Sequence, residues 1–224
     1  PEALAKIKFA LVGCGRIAER HSQLLGTNQI PGAKLVSVCD ISLHKAKNIS
    51  KLYNVNFYND MDKMMQKEDL DVVVVLTPSG LHAMHVINLA KYGKDIMVEK
   101  PMALNVYDAE AMIKACEIKK INLFVVLQNR FNIPFIKLQE AHKKNRFGKK
   151  ILGTVRVRWS RNQKYYNQDK WRGTFSMDGG VITNQASHHI DLLQLIMGDV
   201  RSIFAKTTTA LLDIEVEDTA AITL

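Results

Sequence analysis

The stretch "IKFALVGCGRIA", residues 7–18, decides how the first half of the chain is built. Residues 7–13 are apolar apart from Lys8, the composition of a strand buried on both faces of a parallel sheet. Residues 13–18, "GCGRIA", fit G-x-G-x-x-G/A where that strand gives way to a helical pattern. Gly13 permits the tight turn, Gly15 lets the main chain approach a pyrophosphate, and Ala18 keeps helix and sheet close. The helix opening at Arg16 and Ile17 offers phosphates its first N–H groups and the positive end of its dipole. Such a loop alone only punctuates a chain. Here the next strand, "KLVSVCD" (34–40), ends on Asp40, whose carboxylate can accept hydrogen bonds from ribose hydroxyls and repels the 2′-phosphate of NADP. Neither Ile41 nor Ser42 is an arginine, so the expected cofactor is NAD.

Working outward, further buried-strand patterns fall at 70–77, 95–99 and 122–128. Helical patterns lie between them, near 16–27, 42–53, 60–67, 79–92 and 105–120. Ser79 and Asp60 read as N-caps and Gly93 as a residue closing a helix. This β-α-β order predicts an α/β fold: an N-terminal Rossmann domain, a doubly wound parallel sheet, over 1–125. Beyond about residue 130 the pattern changes to a helix (131–146), an alternating stretch "TVRVRWSR" (154–161), a polar aromatic loop, a helix at 183–197 and strands at 200–209 and 216–224. That predicts a C-terminal α+β domain over 126–224, built on an open mixed sheet for substrate binding and oligomerisation. An apolar strand ending the chain at "EVEDTAAITL" is expected to leave that sheet incomplete, as in a piece of a longer protein.

The 224 residues are 47% hydrophobic and 24% charged, the balance of a soluble globular protein. No apolar run approaches the ~20 residues of a membrane span, and "PEALAKIKFALVG" lacks a signal-peptide layout, so no membrane partner and a cytoplasmic location are expected. Cys14, Cys39 and Cys116 have neither paired nor metal-ligand spacing, so no metal is expected, and Cys14 is read as a small filler in the glycine loop. A net charge of +9 raises nucleic-acid binding, but the basic residues are scattered. Their one cluster, "HKKNRFGKK" (142–150), reads as a helix end and turn. An acidic small-molecule ligand suits this charge; no nucleic-acid partner is expected.

Two strand ends carry further chemistry, because ligands of open parallel sheets bind outside the carboxyl ends of the strands. "TPSGLH" (77–82) supplies Thr77, Ser79 and His82; "EKP" (99–101) supplies Glu99 and Lys100, with Pro101 fixing the turn. A lysine held there can polarise a carbonyl or hydroxyl, or move a proton. In "NQASHHIDLLQLIMG" (184–198), a step of about 100° per residue puts Asn184, His188, Asp191 and Leu195 on one face. His188 is therefore read as facing a polar cleft and His189 as packed on the flank of the core stripe. The loop 161–180, holding Tyr165, Tyr166, Trp171 and Arg172, combines stacking surfaces with an anion-gripping guanidinium.

Together "GCGRIA", Asp40, "TPSGLH", "EKP" and the helical histidine three before Asp191 resemble the glucose–fructose oxidoreductase/inositol dehydrogenase (Gfo/Idh/MocA) family over essentially the whole chain. Within it, "VVLQNR", "RFG", "YYNQDKWRGTF", "DGG", "NQASHHIDLL" and "IEVEDTA" resemble the UDP-N-acetylglucosaminuronate 3-dehydrogenases. The resemblance implies NAD-dependent oxidation of a sugar C3 hydroxyl in bacterial surface-polysaccharide synthesis, in a homodimer or homotetramer assembled through the C-terminal sheet. It places Lys100 and His188 at the catalytic positions. It assigns Gly13, Gly15, Arg16, Ile17, Asp40, Thr77, Ser79, His82, Glu99, Lys100 and Gln128 to the cofactor. To the nucleotide sugar it assigns Lys100, Asn129, Tyr165, Tyr166, Arg172, Asn184 and His188. Many members carry an aspartate four before the histidine; here Asn184 stands there and cannot accept a proton, leaving base duty to His188 or Lys100. The rival readings are a sibling acting on a free polyol or simple sugar, against which the 161–173 loop speaks, and a non-catalytic NAD sensor, which would not need Lys100 and His188. A DNA-binding module has no reading helix.

Overall fold

A computed structural model of the chain describes residues 5–224 and divides into two compact units, Pro1–Val126 and Leu127–Leu224. In the first, β1 (Ile7–Val12), α1 (Arg16–Gly26), β2 (Ala33–Cys39), α2 (Leu43–Tyr53), β3 (Asn56–Tyr58), α3 (Met61–Lys67) and β4 (Val72–Val75) follow one another. Then come α4 (His82–Ala90), β5 (Asp95–Val98), α5 (Val106–Lys119) and β6 (Leu123–Val125). The strands form one parallel sheet of order β3-β2-β1-β4-β5-β6. Strand order reverses between β1 and β4, the crevice where such sheets take ligands.

The sheet is buried on both faces, as its apolar runs predict. On β4, Val73 and Val75 join the cluster built with Ala10, Ile96, Val86 and Met112, while Val74 packs on the opposite face with Leu11, Val38, Ala18 and Ile49. Side chains alternating across a strand explain why four consecutive valines are all buried. Asp60 caps α3 as expected, its side chain accepting from the Asp62 and Lys63 amides at 2.9 and 3.2 Å. Asn105 does the same for α5 through the Asp108 amide, a second cap that was not anticipated. Ser79 does not cap the next helix. Residues Ser79–Leu81 form a 3-10 turn after Pro78 with no side-chain cap, and α4 starts only at His82. Gly93 follows the end of α4 with φ +66°. The short β3, also unanticipated, pairs with β2.

The second unit holds α6 (Ile133–Lys143), the single turn α7 (Gln163–Tyr166), α8 (Ser187–Met197), β7 (Phe204–Thr208) and β8 (Thr219–Thr223). β7 and β8 make a two-stranded antiparallel sheet, so the terminal strand is paired. Residues 154–161 are not a strand: alternation marks which face a segment would bury but cannot supply a partner ladder, and none is present among the described residues. The helix expected over 183–197 begins instead as a π turn, Val181–Gln185, before α8 proper. A cavity of about 1050 Å³ lies within this unit, lined by residues including Leu193, Met197, His189, Val157 and Ile222. Among the described residues no helix is long and apolar enough to cross a membrane.

Asp60→Ala removes both acceptor contacts at the start of α3, with an expected loss of about 1 kcal/mol in urea unfolding and an unchanged denaturant slope.

Candidate functional site

In the first unit the site is built from the carboxyl ends of β1, β2, β4 and β5. Gly13 has φ +100°, and a Cβ there would lie 2.8 Å from the Leu76 carbonyl carbon and 2.9 Å from the Thr77 nitrogen. Only glycine lets the loop after β1 close onto the chain leaving β4. Gly15 is the opposite case: a Cβ there would meet nothing within 4 Å. The open space lies beside the first amides of α1, and no side chain caps that helix. Room for a diphosphate, a helix start without a side-chain cap and an adjacent carboxylate fit NAD.

The carboxylate is Asp40. Its Oδ2 accepts from the Cys14 amide at 2.8 Å and its Oδ1 from the Ser42 amide at 2.7 Å, so it fixes the glycine loop to the end of β2. Each oxygen keeps a second acceptor position for a ribose hydroxyl. Cys14 and Cys39 are buried, and burial pushes both thiols up to about 12; burial raises Cys116 as well. They pack rather than react.

After β4, the Thr77 hydroxyl meets His85 Nδ1 at 2.9 Å. His82 is almost wholly buried, its Nδ1 at 2.8 Å from the Pro101 carbonyl and its Nε2 at 2.8 Å from the Thr77 carbonyl. Burial draws the His82 pKa down, against the two carbonyls, which favour the charged ring. The residue thus ties the Thr77 turn to the Pro101 turn from beneath. The Lys100–Pro101 peptide is cis. Glu99 is buried; its Oε2 accepts from the Lys100 amide at 3.1 Å and its Oε1 lies 2.9 Å from Nε2 of His21. His21 was not among the expected site residues, although a signal was there: it falls three residues after Ala18 and four before Leu25, on the helix face that packs on the sheet.

In the second unit, Gln128 and Asn129 lie on a 3-10 turn, Gln128–Phe131. Arg130 anchors this turn to α8 by gripping both carboxylate oxygens of Asp191, at 2.8 and 2.5 Å. Asp191, grouped with His188 by the helical wheel, is thus engaged by an arginine distant in sequence. His188 is buried, and His189, half-buried, lines the cavity with Ile190, Leu193 and Met197, the stripe on whose flank the wheel puts it. The wheel assumes uniform α geometry from Asn184, and the π turn alters the phase before α8 begins. Asn184 itself donates its side-chain amide to Asp178, a buried carboxylate that also accepts from the Gly173 amide at 2.7 Å. Nothing in the sequence marked Asp178 beyond its place beside two glycines.

The aromatic loop forms a stack. The Tyr165 ring has Arg161 at 5.0 Å and Arg172 at 4.7 Å from its centroid. Arg172 also donates to the Tyr165 hydroxyl at 2.8 Å and to Asp169 at 2.9 Å, and lies over Trp171. Tyr166, edge-on to Tyr165, is buried, and burial raises its pKa. Both guanidinium groups lie over the Tyr165 ring and restrain it.

A parallel sheet with this strand order, this glycine loop and a strand-end acid defines a NAD-binding Rossmann-fold oxidoreductase domain. The profile described as "Oxidoreductase family, NAD-binding Rossmann fold" matches residues 7–127, and that of the "GFO/IDH/MocA C-terminal domain" matches residues 135–224. The chain belongs to the GFO/IDH/MocA oxidoreductase family. It is similar to the solved WlbA dehydrogenase from Bordetella pertussis, in complex with NADH and UDP-GlcNAcA, at 38% identity and TM-score 0.93, over 97% of this chain and 66% of that one. The WlbA protein from Chromobacterium violaceum, with the same two ligands, is 40% identical at TM-score 0.89, over 97% and 63%. Inositol 2-dehydrogenase of Rhizobium meliloti (strain 1021) is 27% identical over 212 residues, 95% of this chain and 61% of that protein. The chain thus spans a little under two thirds of the length of these relatives.

The two loop glycines separate fold from binding. Gly13→Ala should lower stability by about 1–3 kcal/mol through strained backbone and contact with the Leu76 main chain. Gly15→Ala should keep the melting temperature yet weaken NADH binding in a fluorescence titration, because its methyl fills the open cradle. With the Cys14 and Cys39 pKa near 12, almost no thiolate exists at pH 8. Ellman's reagent should leave the native thiols silent and titrate three cysteines in guanidinium.

Proposed function

We propose that this chain is the greater part of an enzyme that oxidises the C3 hydroxyl of a UDP-linked N-acetylated sugar acid with NAD. The observation that carries the reading is the likeness, at 38–40% identity, to two solved WlbA dehydrogenases that hold NADH and UDP-GlcNAcA. The loop 161–173, with its Arg161–Tyr165–Arg172 stack, supports an anionic nucleotide-sugar ligand. The net charge of +9 suits the same ligand.

Gly13, Gly15, Arg16, Ile17 and Asp40 would hold the adenosine and pyrophosphate side of NAD, and Thr77, Ser79, Glu99 and Gln128 the nicotinamide side, with His82 fixing the turns below. Bound there, NAD supplies the acceptor for the hydride leaving the sugar carbon. His188 takes the hydroxyl proton and Lys100 steadies the negative charge growing on that oxygen, or the two exchange these duties. Asn184 takes no proton. Its NH2 gives one N–H to Asp178, and an amide, with both N–H groups and a carbonyl oxygen, can orient a substrate hydroxyl without taking its proton. Asn129, Tyr165, Tyr166 and Arg172 complete the reading of the sugar and its diphosphate, Tyr166 from beneath the loop. The product is a 3-keto sugar, made in the cytoplasm for surface-polysaccharide synthesis by a homodimer or homotetramer assembled through the C-terminal sheet. A second reading, oxidation of a free polyol, is favoured by the 27% identity to inositol 2-dehydrogenase.

Full-length protein with UDP-GlcNAcA and NAD should generate absorbance at the NADH wavelength. A parallel arm with 2-oxoglutarate follows the keto product directly, since recycling would hide NADH. Turnover of inositol and none of the nucleotide sugar would favour the second reading. Lys100→Ala should bind NADH and lose on the order of a hundredfold or more in kcat; full activity in that variant would refute the assigned role.

A further inference from the structure

We propose that His21, on the helix that opens at the glycine loop, is the positioning residue for the Lys100 turn in the dehydrogenase proposed above. Helix α1 buries Ala18, Ser22 and Leu25, and His21 shares that face. Its side chain keeps only 17% of its exposure, and the Glu99 side chain 10%. With Nε2 at 2.9 Å from Glu99 Oε1, the imidazole donates, because the carboxylate has no hydrogen to give. The other oxygen of Glu99 accepts from the Lys100 amide at 3.1 Å, and the Glu99 amide continues the sheet ladder to the Val75 carbonyl at 3.0 Å. One carboxylate therefore spans α1 and the main chain of Lys100.

The physical demand is plain. A carboxylate this buried needs donors at both oxygens. Remove the imidazole and the Lys100 amide is the hydrogen-bond donor left to it among the described residues. The group then gains by turning towards water, and the Lys100 amide loses its acceptor. Because α1 also presents its first amides beside the open space at Gly15, the His21–Glu99 bond couples the phosphate-binding helix to the lysine turn. Placement of Lys100 and occupancy of the glycine loop become interdependent. His21 acts through Glu99 and touches no reacting atom.

Hydrogen exchange of the full-length protein, without cofactor or substrate, tests this directly. In His21→Ala the Lys100 amide should exchange faster by on the order of tenfold, while amides of β1 and β4 keep their protection. His21→Gln, whose side-chain amide can donate to Glu99, should restore most of that protection. NADH affinity should fall in His21→Ala and recover in His21→Gln. In turnover, kcat should fall while KM for the sugar holds. Unchanged Lys100 exchange in His21→Ala overturns the proposal. So does protection lost throughout the sheet and not recovered by glutamine, the mark of a purely structural histidine. Exchange and NADH affinity need no sugar, so they decide the role of His21 even if UDP-GlcNAcA proves not to be the substrate.

Discussion

The close approach of Gly13 to the main chain of Leu76 and Thr77 is the constraint on which the first unit depends. β1 and β4 pair in the middle of the sheet, and strand order reverses between them. The chain leaving β1 must turn sharply upward while the chain leaving β4 passes within contact distance, which no side chain at residue 13 would permit. Once that contact is made, Cys14 falls where its amide meets Asp40, α1 starts at Arg16, and the Thr77 turn lies alongside. The cofactor crevice follows from a missing methyl group.

A second regularity concerns how the polar groups of the site are held. Buried charges are costly unless paired, and the described carboxylates of the site obey this. Glu99 is shared between His21 and the Lys100 amide. Asp40 binds two amides, Asp191 is gripped by Arg130, and Asp178 accepts from Gly173 and Asn184. These partners limit the freedom of the side chains they hold, which is the requirement for a pre-organised site. Tyr165, flanked by two guanidinium groups, is restrained in the same way, with cation–π contacts in place of hydrogen bonds.

What the sequence revealed follows the range of each signal. The parallel sheet, its helices and the glycine loop were legible because each rests on local periodicity or on a motif whose residues are neighbours in the chain. Failures came where the determining partner is distant or the local geometry departs from the ideal. Residues 154–161 alternate like a strand, yet a strand is a pairing, and the pattern carries no information about a neighbour. The π turn at 181–185 breaks the constant rotation that the wheel assumes between Asn184 and α8. His21, Arg130 and Asp178 were missed for one reason: each is defined by a carboxylate or amide it meets in space, and one sequence does not show such pairs.

The asparagine at 184 gains a sharper meaning from Asp178. An aspartate at that position would bring a charge beside the histidine and could itself take a proton. Asn184 does neither, but the negative charge is moved one residue outward rather than lost, since Asp178 takes the side-chain amide of Asn184 as a donor. That bond fixes which end of the amide is which: the NH2 is turned to Asp178 and gives it one of its two N–H groups. An asparagine held this way can orient a hydroxyl without competing for its proton. Proton removal then falls to a group that can carry charge, and in the proposed reaction that leaves His188 and Lys100, with Asn184 directing the hydroxyl and Asp178 directing Asn184.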